Sequence, residues 1–188
     1  MVKVAVVYHS GFGHTEVQAE HVQKGANSVE GVTAELIKAE DATADLGLLA
    51  DADAIIFGSP TYMGTVSAPF KAFMDASSQA WMARAWKDKI AAGFTNSNSL
   101  NGDKLSTLIQ LTVFAAQHGM IWVGQAEMNG CEPGKHGDPE AINRTGTMLG
   151  AVAQSENDSP KVTPPVGDLK TGEILGKRVA EMTKRFVS

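Results

Sequence analysis

The segment Ser10-Gly11-Phe12-Gly13-His14-Thr15 has the residue types needed to hold an anion. It follows the apolar run Val4-Ala5-Val6-Val7 and precedes a stretch with Val17, Val22, Ala26 and Val29 at helical spacing. A strand–loop–helix reading follows. Its two glycines let the backbone bend and approach a ligand closely. The hydroxyls of Ser10 and Thr15 and the free amides of the coming helix would converge on one point. Neither Lys nor Arg occurs in the loop, so a phosphate held there is neutralised by oriented dipoles. Better-known phosphate loops fit less well. The P-loop ends in Gly-Lys-Ser/Thr, and the dinucleotide motif needs three glycines and a later acidic residue. A response-regulator reading needs acidic residues where this chain has His9-Ser10 and Ser59.

Two further loops carry chemistry of a second kind. Pro60-Thr61-Tyr62-Met63-Gly64 offers a stiff turn and a ring-sized flank, with Gly64 allowing close backbone approach. The polar stretch from Thr95 through Asn96, Ser97, Asn98, Ser99, Leu100 and Asn101 to Gly102 can donate backbone groups to a heterocycle. Both follow apolar runs, Ala54-Ile55-Ile56-Phe57 and Lys89–Phe94. Pro60 is expected to stop the former at Gly58-Ser59-Pro60.

Further strands are expected at Val2–Tyr8, Val32–Ile37 and Met120–Val123. Helices are expected at Thr15–Val29, Ala44–Ala50, Ala68–Ala76, Asp103–His118 and Asp168–Phe186. Leu105, Leu108, Ile109, Thr112 and Ala115 should form the buried side of the fourth of these helices. Gly124–Pro165 reads as one long loop. Five strands alternating with helices call for a doubly wound, five-stranded parallel sheet covered on both faces, in one α/β domain over residues 1–188. The three loops then share the sheet's carboxyl edge, where ligands of open α/β sheets bind.

Taken together, the three loops resemble those that hold FMN in the flavodoxin superfamily, and most closely the WrbA-type NAD(P)H:quinone oxidoreductase family. The string Ala54–Asp75 is similar to that family almost throughout, and His118-Gly119-Met120 matches its His-Gly-Met. The resemblance implies a flavodoxin-like fold and non-covalent FMN held by Ser10–Thr15, Pro60–Gly64, Thr95–Ser99, Asn101, Gly102 and Gln117. It implies NAD(P)H as co-substrate and quinones as acceptors in a ping-pong reaction, with Phe12, Trp81 and His118 on the substrate side; Trp81 reads as a pocket wall or a subunit contact. No side chain need act as an obligatory acid or base. Two departures stand out: Leu100-Asn101 replace two glycines of the family, and Gln117 replaces its flavin-contacting histidine. The shorter connection between the second and third strands is a third. A one-electron flavodoxin-type carrier, or a flavodoxin-like module with weak flavin affinity, remains an alternative.

The rest of the chain narrows the setting. A net charge of −5, from 16 Lys+Arg against 21 Asp+Glu, provides no basic field for nucleic acid or anionic membrane. The lone Cys131 cannot close an internal disulfide and the N-terminal apolar run is short, which suits a cytoplasmic protein. Cys131, His136 and Asp138 fit no standard metal spacing and read as a solvated loop. His21 is expected on a helix surface, and Trp86 in the core or at the pocket. The resemblance and the length of Gly124–Pro165 imply a homodimer or homotetramer.

Overall fold

A computed structural model describes residues 1–187 of the chain. The strands β1 (Val2–Tyr8), β2 (Val32–Lys38), β3 (Ala54–Tyr62) and β5 (Ile90–Ser97) pair in parallel in the order β2-β1-β3-β5. The fifth position is shared by two short strands, β6 (Ile121–Trp122) and β7 (Ala151–Gln154), each parallel to β5. β6 pairs with its start and β7 with its end, Phe94 to Ser97. Gly124–Pro165 is therefore not one loop, because Ala151–Gln154 returns to extend the sheet.

Side-chain alternation sets the layers. Val2, Val4, Val6 and Tyr8 face a core shared with α1 (His14–Asn27) and α6 (Val166–Phe186). Ala5 and Val7 face the opposite core, which holds residues of α2 (Ala39–Ala44), α3 (Ala68–Ala76) and α5 (Lys104–Gln117). The helix expected at Ala44–Ala50 is instead α2 followed by a 3-10 turn, Leu46–Leu49, capped by the Asp45 carboxylate on the Gly47 amide. α5 is rotated relative to its expected face: Leu108, Leu111, Phe114 and Ala115 are buried, whereas Leu105 and Ile109 are exposed. His21, expected on the surface, is partly buried and pairs with Glu173 of α6 at 2.6 Å.

β3 does not end at Pro60. Its pairing with β1 stops at Tyr8 opposite Gly58, while its pairing with β5 runs on to Pro60 opposite Asn96. The Gly58 carbonyl points to the β1 side, where it accepts from the His9 amide. By strand alternation the missing Pro60 donor also faces that side, beyond the end of β1, so no ladder bond is lost. Met63 and Gly64, both at positive φ (49° and 78°), then turn the chain into the short antiparallel strand β4 (Thr65–Val66). Two left-handed residues between paired strands make a tight hairpin.

α1 and α6 lie against each other through backbone. A Cβ on Gly176 would stand 1.9 Å from the Val22 carbonyl oxygen, and one on Gly25 would stand 1.9 Å from that of Glu173. Gly176→Ala must push the helices apart. The expected cost is about 2–3 kcal/mol, or a Tm lower by roughly 5–10 °C, read by calorimetry.

His118, at the C-terminus of α5, is 2% exposed. Its ring lies 4.2 Å from that of the buried Trp86, and its Nε2 pairs with Ser77 Oγ at 2.9 Å. Burial, with Arg84 nearby, lowers its pKa from 6.5 to about 4. As pH falls, the unfolded chain takes up this proton first, so the stabilisation is complete above about pH 6.5 and is lost towards pH 4. The loss is on the order of 2–3 kcal/mol. Thermal melts over that range should therefore fall more steeply for the native chain than for His118→Gln.

Candidate functional site

β1, β3, β5 and β7 all end at one edge of the sheet, and the loops leaving them enclose a cleft of about 560 Å³, within the usual size of a cofactor site. Ser10, Phe12, His14 and Thr15 come from the first loop, Pro60, Thr61 and Tyr62 from β3, and Asn96, Ser97 and Asn98 from β5.

The start of α1 forms one wall. Gly13 precedes the helix at φ 89° and supplies no side-chain cap, so the first amides of α1 keep their hydrogen-bonding capacity for a ligand. Thr15, 2% exposed, accepts from Asn96 Nδ2 at 2.9 Å. That bond occupies a lone pair and leaves the Thr15 hydroxyl proton to donate. Among the described residues no Lys or Arg lines the cleft, whereas Glu156 and Asp158 do. An anion there is held by neutral donors and a helix dipole.

The second wall is held from below. Thr61 Oγ1 lies 2.8 Å from both Thr95 Oγ1 and Thr107 Oγ1, so one buried hydroxyl chain ties β3 to β5 and α5. Above it the Tyr62 and Phe12 rings meet edge-on with centroids 6.4 Å apart, and Phe12 is 75% exposed. The Tyr62 hydroxyl sits against Gly11, where a Cβ would be 2.7 Å from it. Burial raises the Tyr62 pKa, and its bond with the Gly11 backbone opposes the shift.

The fourth wall, Ser155, Glu156, Asn157 and Asp158, was missed by the sequence reading. It follows β7 as the other loops follow their strands. The short apolar run Ala151-Val152-Ala153 before a polar stretch was the available signal. The Ser155 amide donates to the Ser97 carbonyl at 3.0 Å. His14 Nε2 lies 2.8 Å from the Asp158 carbonyl and so carries the proton. Pro160 fills the space in which a Gly13 side chain would stand. Behind this wall, Arg144 grips Asp168 of α6 through two bonds of 2.8 and 2.9 Å, and Asp168 also accepts from the Gln154 amide at 2.8 Å.

Two hydroxyls at the cleft, Ser10 Oγ and Ser155 Oγ, are buried without a hydrogen-bond partner among the described residues. Buried hydroxyls are normally paired. A ligand with oxygen acceptors or hydroxyls, such as the phosphate and ribityl chain of a flavin nucleotide, fits this donor set.

Not every expected residue faces the cleft. Gly11, Gly13 and Thr95 do not line it: Gly11 lies against the Tyr62 hydroxyl, Gly13 against Pro160, and Thr95 bonds to Thr61. Met63 and Gly64 project beyond it as the hairpin turn, and Ser99, Asn101 and Gly102 belong to the neighbouring turn. Gln117 is exposed, and its carbonyl accepts from Arg84. His118 is a core residue under Trp86, so its expected place beside a substrate is corrected. Trp81 lies on the short helix α4 (Ser78–Met82), 45% exposed and outside the cleft lining. Of the two expected places for Trp81, the cleft of its own chain is not the one it takes, and its exposed ring leaves the subunit contact. Trp86, left open by the sequence, is core.

Among the described residues, no three His, Cys, Asp or Glu side chains are gathered as metal ligands, and no helix is long and apolar enough to cross a membrane.

Comparison with known proteins agrees with the fold. Residues 14–131 match the family described as NADPH-dependent FMN reductase. The chain is 42% identical to flavodoxin FldP of Pseudomonas aeruginosa, across 99% of both chains. It is 31% identical to an NAD(P)H dehydrogenase (quinone) of Archaeoglobus fulgidus, across 99% of this chain and 100% of the other. A crystal structure described as a flavodoxin, WrbA-like protein from Agrobacterium tumefaciens superposes with a TM-score of 0.74 at 41% identity, covering 99% of each chain. The chain thus belongs to the NADPH-dependent FMN reductase family, within the flavodoxin-like superfamily to which WrbA-type proteins also belong.

Proposed function

We propose that this FMN-binding oxidoreductase takes electrons from NAD(P)H and passes them to quinones, one substrate following the other at the same open cleft. When bound, FMN supplies the ring that accepts and returns hydride equivalents. The observation that carries the reading is the cleft itself, which brings uncapped α1 amides and two unpartnered hydroxyls together with the exposed rings of Phe12 and Tyr62.

In this reading Ser10, Thr15 and the α1 amides hold the phosphate. Ser155, opposite, donates to the polar tail of the flavin. Pro60, Thr61 and Tyr62 bound the ring, and the hydroxyl chain from Thr61 to Thr107 keeps that wall from yielding. Asn96 and Ser97 continue the wall towards the turn at 98–102. Phe12, exposed at the rim, offers a flat face to an incoming nicotinamide or quinone. Trp81, outside the lining, is given no substrate role. Self-association as a dimer or tetramer is part of the proposal. It is supported by Leu105, Ile109 and Val113, exposed at i, i+4 and i+8 along α5, and a monomeric mass by light scattering would overturn it.

The likeness to flavodoxin FldP favours a second reading, a one-electron carrier reduced by another protein. Anaerobic mixing of the FMN-loaded chain with NADH or NADPH separates the two. The enzyme reading expects fast loss of oxidised-flavin absorbance and its recovery on adding benzoquinone. The carrier reading expects no reaction with either nucleotide, yet single-electron transfer to cytochrome c after photoreduction. Failure of FMN to bind at micromolar concentration contradicts both. Ser155→Ala should weaken FMN binding about tenfold, as expected for a lost hydrogen bond of ~1.5 kcal/mol, measured by fluorescence quenching.

A further inference from the structure

Lys104 is the first residue of α5 and is 3% exposed. Both circumstances disfavour an ammonium, since burial removes its water and a helix N-terminus repels positive charge. Its Nζ nevertheless lies within hydrogen-bonding distance of three successive carbonyls, those of Ser99, Leu100 (3.0 Å) and Asn101 (3.2 Å). Three carbonyls use all three protons of the group. The chain closes around it because Gly102 and Asp103 are both left-handed, at φ 52° and 53°.

The carbonyls gathered on Nζ dictate where the amides go. In a planar trans peptide, C=O and the following N–H point in opposite directions. The amides of Leu100, Asn101 and Gly102 therefore point away from the ammonium, and none of the three has a hydrogen-bond acceptor among the described residues. Leu100 and Asn101 stand where glycines would let the turn adopt its shape freely, and here a buried cation imposes that shape.

We propose that Lys104 is the positioning residue of the third cofactor loop: its ammonium gathers the carbonyls of residues 99–101 and so presets the amides of 100–102 as donors to the oxygen-bearing edge of the flavin ring. This rests on the FMN reading of the cleft. The groups facing the ammonium are Asp168 of α6, which favours its charge, and Arg144, which opposes it; His136 lines the same hollow. Burial is the larger influence and lowers the Lys104 pKa to about 8. Above that pH the amine has one donor fewer than the turn has carbonyls.

The first test needs no flavin. Carbon-13 relaxation at the Cα–H bonds of residues 99–103 in the flavin-free protein should show order parameters falling from about 0.85 to below about 0.6 in Lys104→Met, and in the native chain when pH rises from 7 to 9.5. Unchanged order parameters in both overturn the proposal, whatever the protein binds. If Lys104→Met does not fold, by circular dichroism, the native pH comparison decides alone. Flavin titrations extend the test. Lys104→Met should weaken FMN and riboflavin alike, about tenfold, because the amides address the ring and not the phosphate. The native affinity should fall several-fold between pH 7 and 9.5, and that of the variant should follow only the flavin's own titration. Native affinity in the variant with the native pH profile contradicts the proposal. Failure of the native chain to bind either flavin, with the order parameters behaving as expected, counts against the FMN reading and not against the role of Lys104.

Discussion

A dianion of phosphate size cannot leave water for a protein site unless something replaces its hydration, and at this cleft no cationic side chain does so. In the proposed reading the replacement falls to α1. Gly13, in the left-handed region, carries no capping side chain, and the helix begins with its amides unclaimed and its positive pole at the cleft. Hydroxyls at Ser10 and Thr15 complete that donor set, and Ser155 adds another across the cleft. Much of the surrounding structure keeps that helix end in place. α1 is locked backbone to backbone against α6 through Gly25 and Gly176, Asn96 ties Thr15 to β5, and Asp158 ties His14 to the loop after β7.

The remainder of the cleft depends on strands that outrun their neighbours. β3 and β5 continue together after β1 has ended, which lifts Pro60, Thr61 and Tyr62 above the sheet edge. The extension is stable because β7 supplies a partner for Phe94 to Ser97 just where β6 has already left. β7 is fixed in turn by Asp168, whose carboxylate accepts from both the Gln154 amide and the Arg144 guanidinium. A buried, bidentate ion pair behind the cleft thus shapes its β7 wall, through one backbone amide.

Apolar periodicity announced the parallel sheet, because strands buried on both faces read as continuous runs such as Val4–Val7 and Ala54–Phe57. The phosphate loop was legible from its glycines, hydroxyls and lack of cations. Other features were hidden for physical reasons. The course of β3 through Pro60 depends on where β1 stops, a tertiary fact that Pro60 alone does not reveal. β7 is four residues of moderate hydrophobicity whose strand character comes from its partner. His118 looked like a ligand-side histidine by motif, yet stacking on Trp86 and the bond to Ser77 place it in the core. Lys104 carried no signal, because a lysine beginning a helix reads as solvated until three carbonyls are found around it.

The central claim is that the phosphate is held by neutral donors and a helix dipole at a cleft where, among the described residues, the charged side chains of fixed sign are the carboxylates of Glu156 and Asp158. Its most direct test is the salt dependence of FMN binding to the flavin-free protein, followed by fluorescence from about 20 mM to about 500 mM NaCl, a range over which exposed charge pairs are screened. The account predicts an affinity that stays nearly constant, or tightens slightly as the carboxylates are screened, with riboflavin distinctly weaker than FMN at every salt concentration. A tenfold or greater loss of FMN affinity across that range would contradict it, because it would mean that cationic side chains carry the phosphate.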